Sequence, residues 1–173
     1  MASPEVARVI LRIAKLSLVA AVALYHLLVV FNNLTDFDSN YQFVRHVLMM
    51  DTTSPGNHGM WRALPSPALH LAFYLAIIAW ELVTTILLVW GALRLLRALR
   101  SPAAQFHAAK SVALVALLFS LTLWLVAFLT IGGEWFLMWQ SHLWNGQEEA
   151  FRNFAIVALA LLVLMQPDVD AQP

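Results

Sequence analysis

The chain has 173 residues, 61% of them hydrophobic and only 12% charged, with a mean hydropathy of +0.74. A soluble domain of this length cannot bury so much apolar surface, so the composition excludes a water-soluble protein and describes an integral membrane one. Ten cationic side chains balance ten acidic ones, no basic surface lies outside the membrane flanks to bind nucleic acid, and the lack of cysteine excludes disulfides, thiolate metal sites and c-type haem attachment.

In chain order, the first apolar stretch is 9–31, long enough to cross a hydrocarbon core about 30 Å thick. Arg8 to Lys15 resembles the charged start of a signal peptide, and Ala21 and Ala23 the small residues of a cleavage site. The apolar run continues unbroken to Phe31, however, so an uncleaved first span is expected. The segment 32–67 is too long for a connector and too rich in apolar residues for disorder. Within it, Tyr41, Val44 and Leu48 recur at helical spacing, as do Phe43, Val47 and Met50, predicting a short amphipathic helix capped by Ser39 or Asn40. Turns follow at Ser54-Pro55-Gly56-Asn57 and at Pro65-Ser66-Pro67, the last proline suiting the first turn of a helix. Trp61 is expected to anchor this return at the membrane interface.

Further spans are predicted over 68–92, 111–131 and 150–165, separated by a short cationic loop and by the loop 132–149. The last is short, with Phe151 to Met165 reaching only about 22 Å as a helix, so it recruits part of the preceding loop or thins the bilayer. Arg8, Arg12, Lys15, Arg94, Arg97, Arg100 and Lys110 fall on one side, and Arg45, Arg62 and Arg152 on the other with most of the acids. Short cationic loops stay cytoplasmic. The expected fold is therefore an all-α bundle of four transmembrane helices, one domain over 1–173, with both termini cytoplasmic and a partly helical exported cap. Without a Gly-x-x-x-Gly motif, helix association is expected to use Ala72, Ala76 and Ala79, and Ala109 with Ala113.

Long blocks of the two exported loops carry a resemblance. They are residues 33–40, which begin Asn33-Leu34-Thr35-Asp36, then 43–53, Trp61-Arg62-Ala63 with Ser66-Pro67, and Gly132-Gly133-Glu134-Trp135-Phe136-Leu137-Met138-Trp139-Gln140-Ser141. With them the chain resembles the bacterial predicted small integral membrane proteins grouped as domain of unknown function 2165, over nearly its whole length. The resemblance implies a four-span bacterial inner-membrane protein and brings no activity, cofactor or substrate.

Glu81 stands in the middle of an otherwise apolar span, where a charge costs roughly 3 kcal/mol or more. At 100° per residue, His70, Tyr74, Glu81, Thr84 and Thr85 share one face, and His26 and Asn33 share a face of the first span. This polar stripe is either a proton or ion path, with Glu81 titrating, or interhelical pairing such as Glu81 with His26. A single carboxylate is a thin relay, so pairing is the expectation. His26 and His70 could face each other around a b-type haem, but no span carries paired histidines, and no cofactor is predicted.

Asp36, Asp38, His46, Asp51, Glu134, Trp135, Trp139, His142 and Glu148 make up the exported polar and aromatic surface. A zinc or copper site could gather from His46, Asp51, His58, Glu134, His142 and Glu148, though none of the histidines has the close spacing of a zinc-binding helix. Asp36, Asp38 and Asn40 imitate three ligands of a calcium loop, but Tyr41 replaces its glycine and Val47 its bidentate glutamate. Asn33-Leu34-Thr35 is formally a glycosylation acceptor, irrelevant in a bacterium. Nucleotide-binding and hydrolase motifs are missing. The expectation is thus a non-catalytic accessory or interaction subunit of a bacterial inner-membrane assembly, partnered by the bilayer and other membrane subunits. A small proton- or ion-conducting protein using Glu81 is the first alternative, and a haem- or metal-binding redox subunit the second.

Overall fold

The computed structural model describes residues 4–168, which are helical without strands. The first helix, α1 (Pro4–Thr35), leads into α2 (Phe37–Met49), and a looped return containing one short 3-10 turn leads to α3 (Pro67–Arg97). A short α4 (Ala103–Ala109) precedes α5 (Ser111–Thr122), which continues as a π-helix over Leu123–Trp135; a second 3-10 turn leads to α6 (Gln147–Met165). Three of these helices, Glu5–Thr35, Pro67–Arg97 and Ala103–Trp135, are long and apolar enough to cross a membrane. The fourth long helix, α6, carries Glu148, Glu149 and Arg152 in its first two turns and is less apolar.

Apolar faces at helical spacing bring the long helices together. On α1 the buried residues include Val19, Val22, Ala23, His26, Val30 and Asn33, and on α6 they are Ala150, Asn153, Val157, Ala160 and Leu164. Large apolar side chains such as Leu24, Leu27, Leu82, Ile86, Ile156 and Leu159 point outward, as a lipid-facing surface requires. At the α3–α5 crossing the backbones nearly touch, since a Cβ on Gly91 would lie 2.8 Å from the Cα of Ala113. Ala109 and Ala113 are buried as expected of packing residues, but Ala72, Ala76 and Ala79 are exposed. The α3 contact is made instead by the face carrying Gly91, because a glycine allows closer approach than an alanine.

Two apolar cores result, separated by a polar layer. One, at the chain-terminal end, gathers Val19, Leu88, Leu95, Phe106, Leu117 and Val157 with their neighbours. The other, at the loop end, packs Val44, Leu48 and Met50 of the α2 region against Tyr74, Ile78 and Phe136. The amphipathic helix thus lies on the bundle, starting at Phe37 behind Asp36 with no side-chain cap, rather than at Ser39 or Asn40. Pro67 opens α3, and the Ser54–Asn57 turn closes with Gly56 at φ 76°, a conformation glycine adopts freely. Trp61 is 73% exposed and meets Trp135 edge-on at 5.7 Å, with the Arg62 guanidinium over both rings.

Candidate functional site

Between the two cores α1, α3 and α5 each turn polar residues inward. Helical period puts His70, Tyr74, Glu81, Thr84 and Thr85 on one face of α3, and all five are buried, as are His26 and Asn33 on α1. Glu81 is 1% exposed and about 21 Å along α3 from Pro67. Asn33 Nδ2 donates to its Oε2 at 2.7 Å, and the Tyr74 hydroxyl donates to the Asn33 backbone carbonyl at 2.9 Å. Asn33 therefore ties α1 to α3 twice.

His26 pairs elsewhere than with Glu81, its Nε2 sharing a 2.7 Å hydrogen bond with Ser120 Oγ of α5. His70 Nε2 lies 2.6 Å from the Leu64 carbonyl, holding the return loop onto α3. Each histidine thus has its own partner, and the two do not form a ligand pair. Thr84 and Thr85 donate back to the carbonyls of Trp80 and Glu81, satisfying their own helix rather than bridging to another. Ser120 and Asn153, also buried, complete the layer; a single Ser or Asn among apolar residues has no signature in the sequence.

Above Glu81 lies a cavity of about 440 Å³. Glu81, Asn33 and Tyr74 form its polar floor, and Phe43, Trp124, Phe128 and Trp144 supply aromatic walls. Leu143, Asn145 and Glu149, all exposed, mark the mouth. Two features of the cap shape it. The π-helix, closed by Phe136 N–H donating to the Ile131 carbonyl at 2.9 Å, sets Trp124 and Phe128 side by side, ring centres 4.9 Å apart. At Gly146 a Cβ would come within 2.8 Å of the Phe43 ring, so the absence of a side chain lets α2 close over the start of α6. Trp124 is 6% exposed, and its indole N–H finds no acceptor among the described residues. Below Glu81 the packing closes again at Leu88, Val19 and Leu117, each fully buried.

The cap residues divide. His46 Nδ1 sits 2.8 Å from Asp51 Oδ2, and its ring stacks on Trp144 with centres 4.7 Å apart. Asp38 accepts from Gln42 at 3.3 Å, and Asp36 precedes α2, whose first turn it joins through its carbonyl. Glu134, Trp135, Trp139, His142 and Glu148 are exposed, as is His58. Among the described residues no three His, Asp or Glu side chains gather as a metal site would require.

At the far end, Lys15 and Lys110 are buried and both donate to the Gln166 carbonyl at 2.8 Å. Asp168 pairs with both lysines, at 3.0 Å from Lys15. Arg12, fully buried over the Phe106 ring, donates to the carbonyls of Leu99 and Ser101. The sequence marks these cations only as membrane flanks; the structure uses them to bind the ends of the helices together.

No curated protein and no solved structure gives a significant match to this chain. A family description does match, over residues 11–167, which is nearly the whole chain. The chain belongs to the family described as predicted small integral membrane protein (DUF2165).

Proposed function

We propose that the protein is a non-catalytic accessory subunit of a bacterial inner-membrane assembly, and that its working part is a blind interior cavity that receives a small ligand from the exported side. In this reading α6 is a fourth crossing, its polar first turns reaching into the interface. One domain then has both termini in the cytoplasm and the α2 cap outside. The seven cations of the chain-terminal side against three on the cap side support that orientation. The observation that carries the function is the cavity itself, which opens beside Leu143 and Asn145, ends at Glu81 and has a packed apolar core beneath it. A volume of about 440 Å³ is within the range of sites for small organic molecules, roughly 300–1,000 Å³.

Conduction through Glu81 has the buried carboxylate in its favour and the closed lower core against it. A proton or ion reaching Glu81 would next meet Thr84, Thr85 and the His26–Ser120 pair, and beyond them the fully buried Leu88 and Val19, which offer no polar group. Flux in liposomes that falls in Glu81→Gln would restore that reading. The redox reading draws no support from His26 and His70, whose Nε2 atoms already have partners.

The chain lacks cysteine, which makes single-cysteine labelling a direct test. In intact spheroplasts a membrane-impermeant maleimide is expected to modify Leu143→Cys at the mouth and Val29→Cys in the cavity. Ala98→Cys, beyond the far end of α3, is expected to react only in inverted vesicles. Labelling of Ala98→Cys from outside, or failure of Val29→Cys to react from either side, removes the proposal. The accessory role predicts co-purification with other membrane subunits in mild detergent, and recovery as an isolated monomer at native expression counts against it.

A further inference from the structure

We infer that the cavity above Glu81 is a site for an organic cation, a protonated amine on an apolar body, with the ammonium group at Glu81 and the body between the aromatic walls. The inference rests on the cavity reading above and adds the chemistry of the occupant. Both ionisable carboxyl groups of the lining, Glu81 and Glu149, are acidic, and no Lys, Arg or His lines it. An anionic ligand would thus be placed beside like charge without a counter-charge, at a depth where water screens little. A purely apolar ligand would cover the second carboxyl oxygen of Glu81 without giving it a donor, which is costly in a buried site.

An inorganic cation fits no better. A metal ion of the calcium type takes six to eight oxygens at 2.3–2.6 Å, whereas this space would hold on the order of ten waters at about 30 Å³ each, and much of its wall is aromatic. Aromatic faces attract cations electrostatically, and more strongly where water is excluded. Phe43, Trp124, Phe128, Trp144 and Tyr74 present such rings around one space. Asn33 occupies Oε2 of Glu81, and no described residue donates to Oε1, which leaves that oxygen for an ammonium N–H.

Glu149 at the mouth and Glu81 at the floor are in line for a cation entering from the cap end. The mouth residue is exposed and acts at long range, raising the local cation concentration. Glu81 supplies the specific contact.

The test uses the purified full-length protein in mild detergent and three probes of similar shape, 2-phenylethylamine, 2-phenylethanol and 3-phenylpropanoate. Binding is read by quenching of tryptophan fluorescence and by protection of Val29→Cys from maleimide. The amine is expected to bind at least tenfold more tightly than the alcohol or the anion and to protect the cysteine. Glu81→Gln should lose at least tenfold in amine affinity while leaving the alcohol unchanged. Glu149→Gln, on the surface, should lose about two- to threefold, a loss that vanishes in high salt. If the alcohol or the anion binds as well as the amine and protects the cysteine, the cation assignment falls and the cavity reading stands. Failure of all three probes to bind a labelling-competent protein overturns the cation assignment, and a Val29→Cys that never reacts overturns the cavity itself. Should Glu81→Gln not fold, amine affinity no greater than that of the alcohol in the parent protein overturns the inference.

Discussion

Asn33 does more for this molecule than its position near the end of α1 suggests. Its side chain donates to Glu81 and its backbone carbonyl receives Tyr74, so one residue satisfies two buried groups of α3. Replacing it with alanine leaves the carboxyl without a donor, which costs about 1–3 kcal/mol in a buried setting. Asn33→Ala is therefore expected to lower the Tm in detergent. Glu81→Gln keeps an acceptor oxygen facing Asn33, and its Tm should stay near that of the parent. A Glu81→Gln Tm that drops as far as that of Asn33→Ala would show that the carboxylate charge itself holds α1 to α3. The common face of His70, Tyr74, Glu81, Thr84 and Thr85 could be read from the helical period alone. That Asn33 rather than His26 meets Glu81 could not, since which residues of two helices face each other depends on their relative rotation and offset.

At the scale of elements, the α3–α5 crossing depends on a single missing side chain. A Cβ at Gly91 would meet the Cα, Cβ and backbone N of Ala113, all at 2.8 Å, and backbone atoms cannot move aside as a flexible side chain can. Gly91→Ala is expected to cost about 1–3 kcal/mol through overpacking. Adding Ala113→Gly should restore only part of the Tm, because two of the three contacts are with backbone. Full tolerance of Gly91→Ala in a thermal scan would mean that the helices separate easily. The sequence shows the glycine but not its partner, and its alanine-rich stripe on α3 points outward instead. The π-helix was equally illegible, for its run from Leu123 to Trp135 has the composition of any apolar span. Its wide turns bring Trp124 and Phe128 to the cavity wall, a use of irregular helix in keeping with the frequency of π-turns at functional sites.

Across the whole molecule, the ends of the chain are locked together by charge. Lys15 of α1, Lys110 ahead of α5 and Asp168 beyond α6 form a buried cluster closed by the Gln166 carbonyl. Burial pushes the Asp168 carboxyl up, but hydrogen bonds from Lys110 and Lys15 outweigh it and hold the group below the usual aspartate range. A depressed folded-state value means that the ion pair contributes fully above the unfolded value of about 3.9 and is lost as the pH falls through the lower folded one. The Tm of the parent protein is therefore expected to lose this contribution only below about pH 4. Asp168→Asn should lower the Tm at neutral pH by leaving two buried lysines short of counter-charge, a loss of about 3–5 kcal/mol for a pair broken on one side. The variant should also lack that acid-dependent step. A parent and variant with the same pH profile would show that the lysines are served by the carbonyl alone.

Membrane residence, helical class and family are written in the chain itself, because the thickness of a bilayer is a constraint along one dimension and an apolar run of sufficient length meets it in any arrangement. The same holds for turns such as Pro55-Gly56 and for Pro67 at the start of α3, whose backbone preferences are local. Only the tertiary structure decided that Glu81 would have a cavity on one side and a dry core on the other. That outcome depends on how deeply α2 rests against α3, on the wide turns of the π-helix and on the contact of Gly146 with Phe43. Each is a matter of distance between residues far apart in sequence, and hydrophobic periodicity, which reports only which face turns inward, says nothing about the space left between faces.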